Sequence, residues 1–584
     1  MNLRTPFTVL VLAVWLASCG GAPTPPVASV EDRIGPEAPR TLTVIGISDF
    51  HGALEPLEVE SADGHIVTVG GAALIAAYIE RIRQDADGPV VILDGGDLFQ
   101  GTLVSNLQLG APVIRFHNHI GVTAAAVGNH EFDFGPDTPE RTVPLLDEDD
   151  PRGALKARAA EASFPLLAVN MRDGDGEIPS WSGASVVVEH EGVRIGIIGA
   201  ATEDTATTTV GANVVGLDFP FAAPFIADEA ERLQQEEGVD LLLLTAHFGA
   251  GCADFSDPDD TSSCRPGEMF RVLDDLPEGL LRVAVGGHTH QGVAHRYRDT
   301  AVIQAFAQGR ALALAVVDLE TPGFPVTIHP PVPVCGSTVA GRDGPTCHPR
   351  AVPHIHGPAQ PALFRGAPVL PDPAVEALLA DDFAAVAELR ERDLGVDVGE
   401  TLTRSYREES PLGNLVADAM REAIPGADVA AVNGGGIRAE LEPGRLTYGR
   451  LFEVLPFDNR FVILDVDGET LARIVRHGVT SGRSALLWSG VEFRAVGCDV
   501  VEIRVGDELL DPSARYTLVL NDYLAGGGSG FDTLGLPEAD IRWDLEPVRE
   551  AVARILGQRA EPLLNHQSMD PAAPRQVREG ECAP

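Results

Sequence analysis

The stretch Gly128-Asn129-His130-Glu131-Phe132-Asp133 decides how this chain is read. It follows a small apolar run, Ala124 to Val127, with the character of a buried strand end. An asparagine side-chain oxygen can bind a hard cation, and a histidine beside it can act as proton donor. Alone the string says little, because asparagine at a turn usually serves turn geometry. Four other pieces accompany it: Asp49-Phe50-His51-Gly52, Gly95-Gly96-Asp97, His247, and Gly287-His288-Thr289-His290.

Most of these pieces close an apolar run. Leu42 to Ser48 predicts a strand ending at Asp49, and side-chain alternation along it would turn Asp49 and His51 to one side. Val90 to Leu93 leads into Asp94-Gly95-Gly96-Asp97, where two glycines permit a sharp turn. Asp94 is the structural competitor there, and Asp97 is preferred because it follows the glycine pair. Leu241 to Thr245 precedes His247, and Leu281 to Val285 precedes the GGHTH string. Strands are also expected at Phe164 to Asn170 and Val193 to Gly199, and helices around Leu74 to Ile82 and over Phe221 to Gln235. Ligand-type residues at the C-terminal ends of successive buried strands are how α/β sheets build sites. His117 and His119 lack this context and read as exposed helix residues.

The resulting set is Asp49, His51, Asp97, Asn129, His247, His288 and His290. Mixed carboxylate and imidazole suit borderline divalent ions such as Zn, Mn or Fe. The set is too large for one tetrahedral zinc. Two metals sharing one carboxylate account for it, a pair about 3.5–4 Å apart that activates water and clamps a phosphoryl oxygen.

The composition fits a large, acidic chain. Its 584 residues suggest two or more domains, and 44% hydrophobic content allows sizeable cores. The net charge of -43, with Lys156 the only lysine, disfavours a nucleic-acid polymer as partner. Acidity also fits a saline niche, although an ordinary solvated surface is the simpler reading. Arg4 followed by an apolar stretch, Phe7 to Leu16, reads as a signal segment too short to span a membrane. Leu16-Ala17-Ser18-Cys19 resembles a bacterial lipobox, which implies cleavage before Cys19 and its lipidation. The chain would then be exported and held to the cell envelope by that lipid alone. Six further cysteines suggest disulfides in an oxidising compartment. The close pairs Cys252/Cys264 and Cys335/Cys347 leave Cys498 with Cys582, and no CxxC spacing supports zinc thiolates instead.

Through DFHG, GGD, GNHE, AH and GHTH the chain resembles the calcineurin-like metallophosphoesterases. The resemblance implies that Asp49, His51, Asp97 and His290 hold one metal. It implies that Asp97, Asn129, His247 and His288 hold the other. His130, oriented by Asp133, would stabilise the transition state and assist the leaving oxygen.

A second composition begins near residue 399. It carries Glu409-Ser410-Pro411-Leu412-Gly413-Asn414, Asn433-Gly434-Gly435-Gly436-Ile437-Arg438, Leu455-Pro456-Phe457-Asp458-Asn459 and Asn521-Asp522-Tyr523. A glycine-rich loop beside an arginine is a plausible anion site. It is not a Walker A loop. Phe457 and Tyr523 could sandwich a flat base, although a loop aromatic is more often core. These strings resemble the C-terminal domain of UDP-sugar hydrolases and ecto-5′-nucleotidases. The resemblance assigns substrate contacts to Asn433 and Arg438, stacking to Phe457 and Tyr523, and an upstream arginine role to Arg404 or Arg407. Where that family carries GGDG, this chain has Gly527-Gly528-Ser529-Gly530. Losing a carboxylate partner there could cost roughly 1.5–3 kcal/mol.

The expected fold is α/β. A metallophosphoesterase β-sandwich flanked by helices (α/β/β/α) would span 41–325, with a smaller α+β domain at 396–565. The expected remainder is a signal segment at 1–19, a tether at 20–40, an irregular segment and linker helix (Pro373 to Leu394) within 326–395, and a tail at 566–584. The expected function is an exported, metal-dependent 5′-nucleotidase. UDP-sugar hydrolase, 2′,3′-cyclic phosphodiesterase and thiosulfohydrolase are alternatives on the same scaffold. A binding protein that had lost catalysis would lack ligands, and all seven are present.

Overall fold

The computed structural model describes residues 41–584 except 139–141, 145, 147, 191, 343, 481–483, 535–540, 571, 581, 583 and 584. The signal segment, Cys19 and the tether lie outside the described residues.

Two six-stranded sheets build the first domain. One runs, edge to edge, Val326–Pro333, Ala311–Asp318, Thr41–Ile47, Val90–Asp94, Ala124–Ala126, Leu166–Leu167. The other runs Gly292–Tyr297, Thr300–Ala305, Val283–Val285, Leu241–His247, Val193–Ala201, Ser185–His190. Four successive strands in each sheet are parallel, with Ile47 opposite Asp94 and Val285 opposite Thr245. Parallel strands are buried on both faces and so read as near-continuous apolar runs. Alternation within each run then assigns the layer. Val44, Val91 and Leu93 pack with Ile197, Leu243 and Val285 between the sheets. Ile45, Ile47 and Ile92 pack instead with helices Ala72–Asp85 and Ala111–Ile120. Helices Ala223–Arg232 and Glu268–Asp274 cover the second sheet. Each fully buried side chain of this size contributes roughly 1.5–3 kcal/mol. The result is the α/β/β/α sandwich.

Local differences from the sequence reading have physical causes. Phe164 to Asn170 is strand only at Leu166–Leu167, after which Asn170 bonds both N–H and C=O of Ala201. The segment after 325 is not wholly irregular: Val326–Pro333 pairs with Ala311–Asp318 as a sheet edge, and the register shifts between Leu312 and Leu314, where Pro330 and Pro331 fall. The predicted linker helix runs Pro373–Arg390, opened by Pro373 and by Asp372 Oδ1 accepting from Ala374 N at 2.8 Å. Its Val375, Leu379 and Val386 join the first domain's core.

The second domain centres on a sheet ordered Leu486–Ser489, Val429–Asn433, Arg515–Asn521, Arg460–Asp467, Ile541–Pro547. Helices Pro411–Ala423 and Val548–Leu556 pack in one core cluster and Gly468–Thr480 in another. Residues 576–579 add a strand parallel to Val491–Val496, so the tail belongs to this domain. Disulfides join Cys252 to Cys264, Cys335 to Cys347 and Cys498 to Cys582. Among the described residues, no helix is long and apolar enough to cross a membrane.

Candidate dimetal site and composite cavity

The loops after the parallel strands converge at one end of the sandwich. Asp49, His51, Asp97, His288 and His290 all have positive φ, between 48° and 70°. Non-glycine residues seldom adopt this conformation, which concentrates at functional sites. The finding corrects the strand-alternation argument: the strand ends at Ile47, and a left-handed loop, not the pleat, brings Asp49 and His51 together. Backbone bonds from Asp49 N to Gly96 O (3.1 Å) and from His51 N to Asp97 O (2.9 Å) zip this loop to the next. Glycine is required at Gly128, because a Cβ there would lie 2.3 Å from Asp97 Oδ1.

Two donor groups share Asp97. Asp49, His51, Asp97 and His290 form one, and Asp97, His247 and His288 the other. Asn129 joins the second, with its Oδ1 2.9 Å from both His247 Nε2 and His288 Nδ1. Asp97 Oδ2 lies 3.2 Å from His247 Nε2 and 3.7 Å from His51 Nε2. All seven residues named from the sequence are thus brought together.

The donor chemistry fits cations. His51 Nδ1 donates to Gln100 O and His247 Nδ1 to Gly95 O, each at 2.8 Å. These bonds fix the rings so that each Nε2 points inward. His51 Nε2 then meets His290 Nε2 at 3.0 Å, and Asp49 Oδ2 is buried with no partner. Burial, reinforced by the charges of Arg438 and His130, holds His51 down at about 3. Burial and the charge of His247 hold His288 at about 3. Burial also opposes charge on His247, but Asp97, Asp49 and Glu131 outweigh it and raise that ring to about 10. Neutral imidazoles and clustered carboxylates that draw in a positive charge are what a divalent ion needs.

His130 and Asp133 sit at the rim. His130 Nδ1 lies 2.6 Å from Asp133 Oδ2, whose Oδ1 accepts from Thr209 Oγ1 at 2.9 Å. His130 N donates to Asp97 Oδ1 at 2.8 Å. Burial disfavours charge on His130, but Asp133 and Asp97 prevail and raise it above the usual histidine value.

Two supports were not identified from the sequence. Glu131 is buried and accepts from Asp97 N, Leu98 N and Gly128 N at 2.6–2.8 Å, tying two ligand loops together. His117 is not exposed as expected: it is wholly buried, and its Nε2 lies 2.9 Å from Asp94 Oδ2. Asp94 Oδ1 accepts from Gly96 N at 2.9 Å, so the pair braces the turn that presents Asp97. An apolar residue run with His at its inner face was the available signal; Val113, Phe116 and Ile120 flank it. His119 is exposed.

The second domain closes over this cluster, leaving a cavity of about 1080 Å³ lined by both domains. Phe457 lies with its ring centroid 5.5 Å from that of His130. Arg438 Nη2 is 3.5 Å from His51 Nε2, and its guanidinium is 5.8 Å from the Phe457 ring. Tyr523 OH donates to Thr207 O at 3.1 Å, and Asn106 Nδ2 to Pro456 O at 2.9 Å. Asn433, Arg404, Arg407 and Ser529 also face the cavity. Asn433 Oδ1 accepts from Asn521 Nδ2 at 3.0 Å, and Arg404 Nη1 donates to Ile437 O at 3.1 Å.

A paired donor cluster of this make-up, on this sandwich, defines a metal-dependent phosphoesterase. Sequence comparison agrees. The calcineurin-like phosphoesterase profile matches residues 42–292, and the profile for the 5′-nucleotidase C-terminal domain matches 387–535. The chain is 26% identical over 564 residues to the 5′-nucleotidase of Diplobatis ommata, covering 86% of this chain and 85% of that one. It is 25% identical over 523 residues to the endonuclease YhcR of Bacillus subtilis (strain 168), covering 86% of this chain but spanning only 38% of that relative's length. The crystal structure of a 5′-nucleotidase precursor from Thermus thermophilus superposes with a TM-score of 0.71 at 25% identity, over 93% of this chain and all of that one. The chain belongs to the calcineurin-like phosphoesterases that carry a 5′-nucleotidase C-terminal domain, and is a phosphoric ester hydrolase. That family implies divalent metals, for which the two donor groups are the candidate holders.

Proposed function

We propose that this protein is an exported, metal-dependent 5′-nucleotidase that releases phosphate from nucleoside 5′-phosphates. The observation that supports the reading most is the contact of Phe457 with His130, an aromatic ring of the second domain at the rim of the donor cluster. The base would lie against Phe457 and Tyr523, with the phosphate reaching inward past Arg438. Arg438, with Arg404, Arg407 and Asn433 around it, would orient the phosphoryl oxygens. Asp49, His51, Asp97 and His290 would hold one divalent ion, and Asp97, Asn129, His247 and His288 a second. When bound, such ions supply Lewis acidity toward the phosphoryl group and lower the pKa of water. His130 keeps one proton on Nδ1 against Asp133 and can deliver another from Nε2 to the departing oxygen.

Three disulfides support export to an oxidising compartment. Anchorage by lipid at Cys19 is part of the same proposal and rests on the lipobox string. Ser529, in place of an aspartate, favours a second reading in which another compound is the substrate: UDP-glucose, a 2′,3′-cyclic nucleotide or thiosulfate. Consumption of AMP, UMP, UDP-glucose and 2′,3′-cyclic AMP, with the products resolved chromatographically and thiosulfate hydrolysis followed separately, decides between them. A kcat/KM highest for the monophosphates supports the nucleotidase. A higher value for any other compound moves the assignment to that one.

A further inference from the structure

Gln304 is wholly buried near the end of strand Thr300–Ala305, where its neighbours Ala301, Val302, Ile303 and Ala305 are all apolar. In that sheet Val285 lies between Ile303 on one side and Thr245 on the other, with the three strands parallel. Gln304 is therefore level with the points at which two ligand loops leave the sheet. One follows His247, and the other carries His288 and His290.

The amide reaches both loops. Gln304 Nε2 donates to Thr289 Oγ1 at 2.7 Å, and Thr289 Oγ1 donates to Ala250 O at 2.7 Å. Thr289 stands between His288 and His290, and Ala250 lies three residues beyond His247. The hydroxyl has one proton, which goes to Ala250, so from the amide it can only accept. This orders the amide and turns Gln304 Oε1 toward Gly249 and Gly286, where a Cβ would lie 2.1 Å and 2.9 Å from that oxygen. Both loops are bare of a side chain where the amide enters: Gly249 is two residues after His247, and Gly286 two residues before His288.

Packing alone does not account for an amide in this place. Gln304 Oε1 is buried with no hydrogen-bond partner. An apolar side chain of similar length would fill the space without stranding an oxygen, but it could not hold Thr289. That loop needs holding, because His288 and His290 have positive φ, at 70° and 54°. Such backbone persists where the surroundings impose it. Alongside the backbone bond from Gly287 N to Phe248 O (3.3 Å), the Thr289–Ala250 bond ties the loop to the one that follows His247.

We propose that Gln304 is a positioning residue for the candidate metal centre. Through Thr289 it fixes the spacing between His247 and the pair His288 and His290, so that the donor group of Asp97, Asn129, His247 and His288 is set before its ion arrives. The proposal rests on the reading that the two donor groups hold divalent ions, and Gln304 acts through Thr289 without being a donor itself.

The test is titration of Zn²⁺ into the full protein stripped of metal, read by competition with a chromophoric chelator. The parent is expected to bind two ions. Gln304→Met keeps the length and loses the amide; Thr289→Val keeps the shape and loses the hydroxyl. Each should weaken one of the two ions by about ten- to hundredfold, the usual effect of removing a group that orients ligands. Thr289→Ser restores the hydroxyl and should return the affinity to within about threefold of the parent. Because Gln304 acts through Thr289, the double variant should bind within about twofold of Thr289→Val. Unchanged affinity in Thr289→Val overturns the proposal, and so does a double variant whose losses multiply. Affinity that holds in Gln304→Met while its melting temperature falls makes Gln304 a packing residue and overturns it as well. If Gln304→Met fails to fold, Thr289→Val and Thr289→Ser still decide. A parent that binds no Zn²⁺ removes the dimetal reading and the proposal together. Two ions bound at parental affinity in every variant removes the proposal alone.

Discussion

Phe457, from the C-terminal domain, lies 5.5 Å between ring centroids from His130 of the first domain. The proposed stacking surface and the proposed proton carrier therefore touch across the domain boundary. Phe457→Ala should raise KM for AMP about tenfold, consistent with the roughly 1–3 kcal/mol of a base–aromatic stack. Hydrolysis of p-nitrophenyl phosphate, which has no base to stack, should change less than about threefold. Steady-state kinetics on the two esters checks this, and equal losses on both would remove base stacking from the mechanism.

Asp133→Asn should lower kcat for AMP by about 10²–10⁴, the usual worth of a positioned proton donor. Asp133 raises the His130 pKa through a 2.6 Å contact. Removing its charge lowers that pKa, so the basic limb of the kcat–pH profile should move to lower pH. Metal content, measured by mass spectrometry, should be unchanged. A variant with full activity and an unmoved basic limb would exclude His130 as the proton carrier.

His117→Ala leaves the buried Asp94 Oδ2 without its hydrogen-bond partner. Leaving a buried acceptor unsatisfied in this way costs about 1–3 kcal/mol. Denaturant melts should show that loss, and the metal content of the purified variant should fall because the Gly96 turn loses its brace.

Asp522 supplies a pH test away from the donor cluster. Burial raises it from 3.8 to about 6, against hydrogen bonds from Asn459 Nδ2 and Tyr523 N. A raised folded-state value means that the folded protein holds the proton more tightly. Its stabilisation is present below pH 4 and is lost as pH rises through 6. Asp522→Asn should therefore stabilise the protein relative to the parent at pH 8, by on the order of 2–3 kcal/mol, and not at pH 3.5. Thermal melts at both values test the sign.

The strand ends and their ligands were legible because each apolar run stops at a residue type that a core does not contain. Leu241–His247 is the clearest instance: four leucines and then a buried imidazole. The supports were less legible, for a physical reason. Glu131 reaches Asp97 across 34 positions and His117 reaches Asp94 across 23, and no local periodicity encodes a partner at that range. The left-handed backbone at Asp49 and His288 was also invisible, since glycine is the residue that usually marks it. Tyr523 was named for stacking, yet the reach of its hydroxyl to Thr207 depends on how the domains dock. Val326–Pro333 was missed because its prolines mimic a loop until its place at the sheet edge is known.

The five left-handed ligand positions bear on how this chain can drift. Glycine would relax the backbone at each of them, and at Asp49 it would also remove a buried carboxylate with an unpartnered oxygen. Such replacements should give a sturdier fold with no chemistry. Selection for stability alone would erode this site one glycine at a time, and a descendant freed from its substrate should show that erosion first at Asp49, His51, Asp97, His288 and His290.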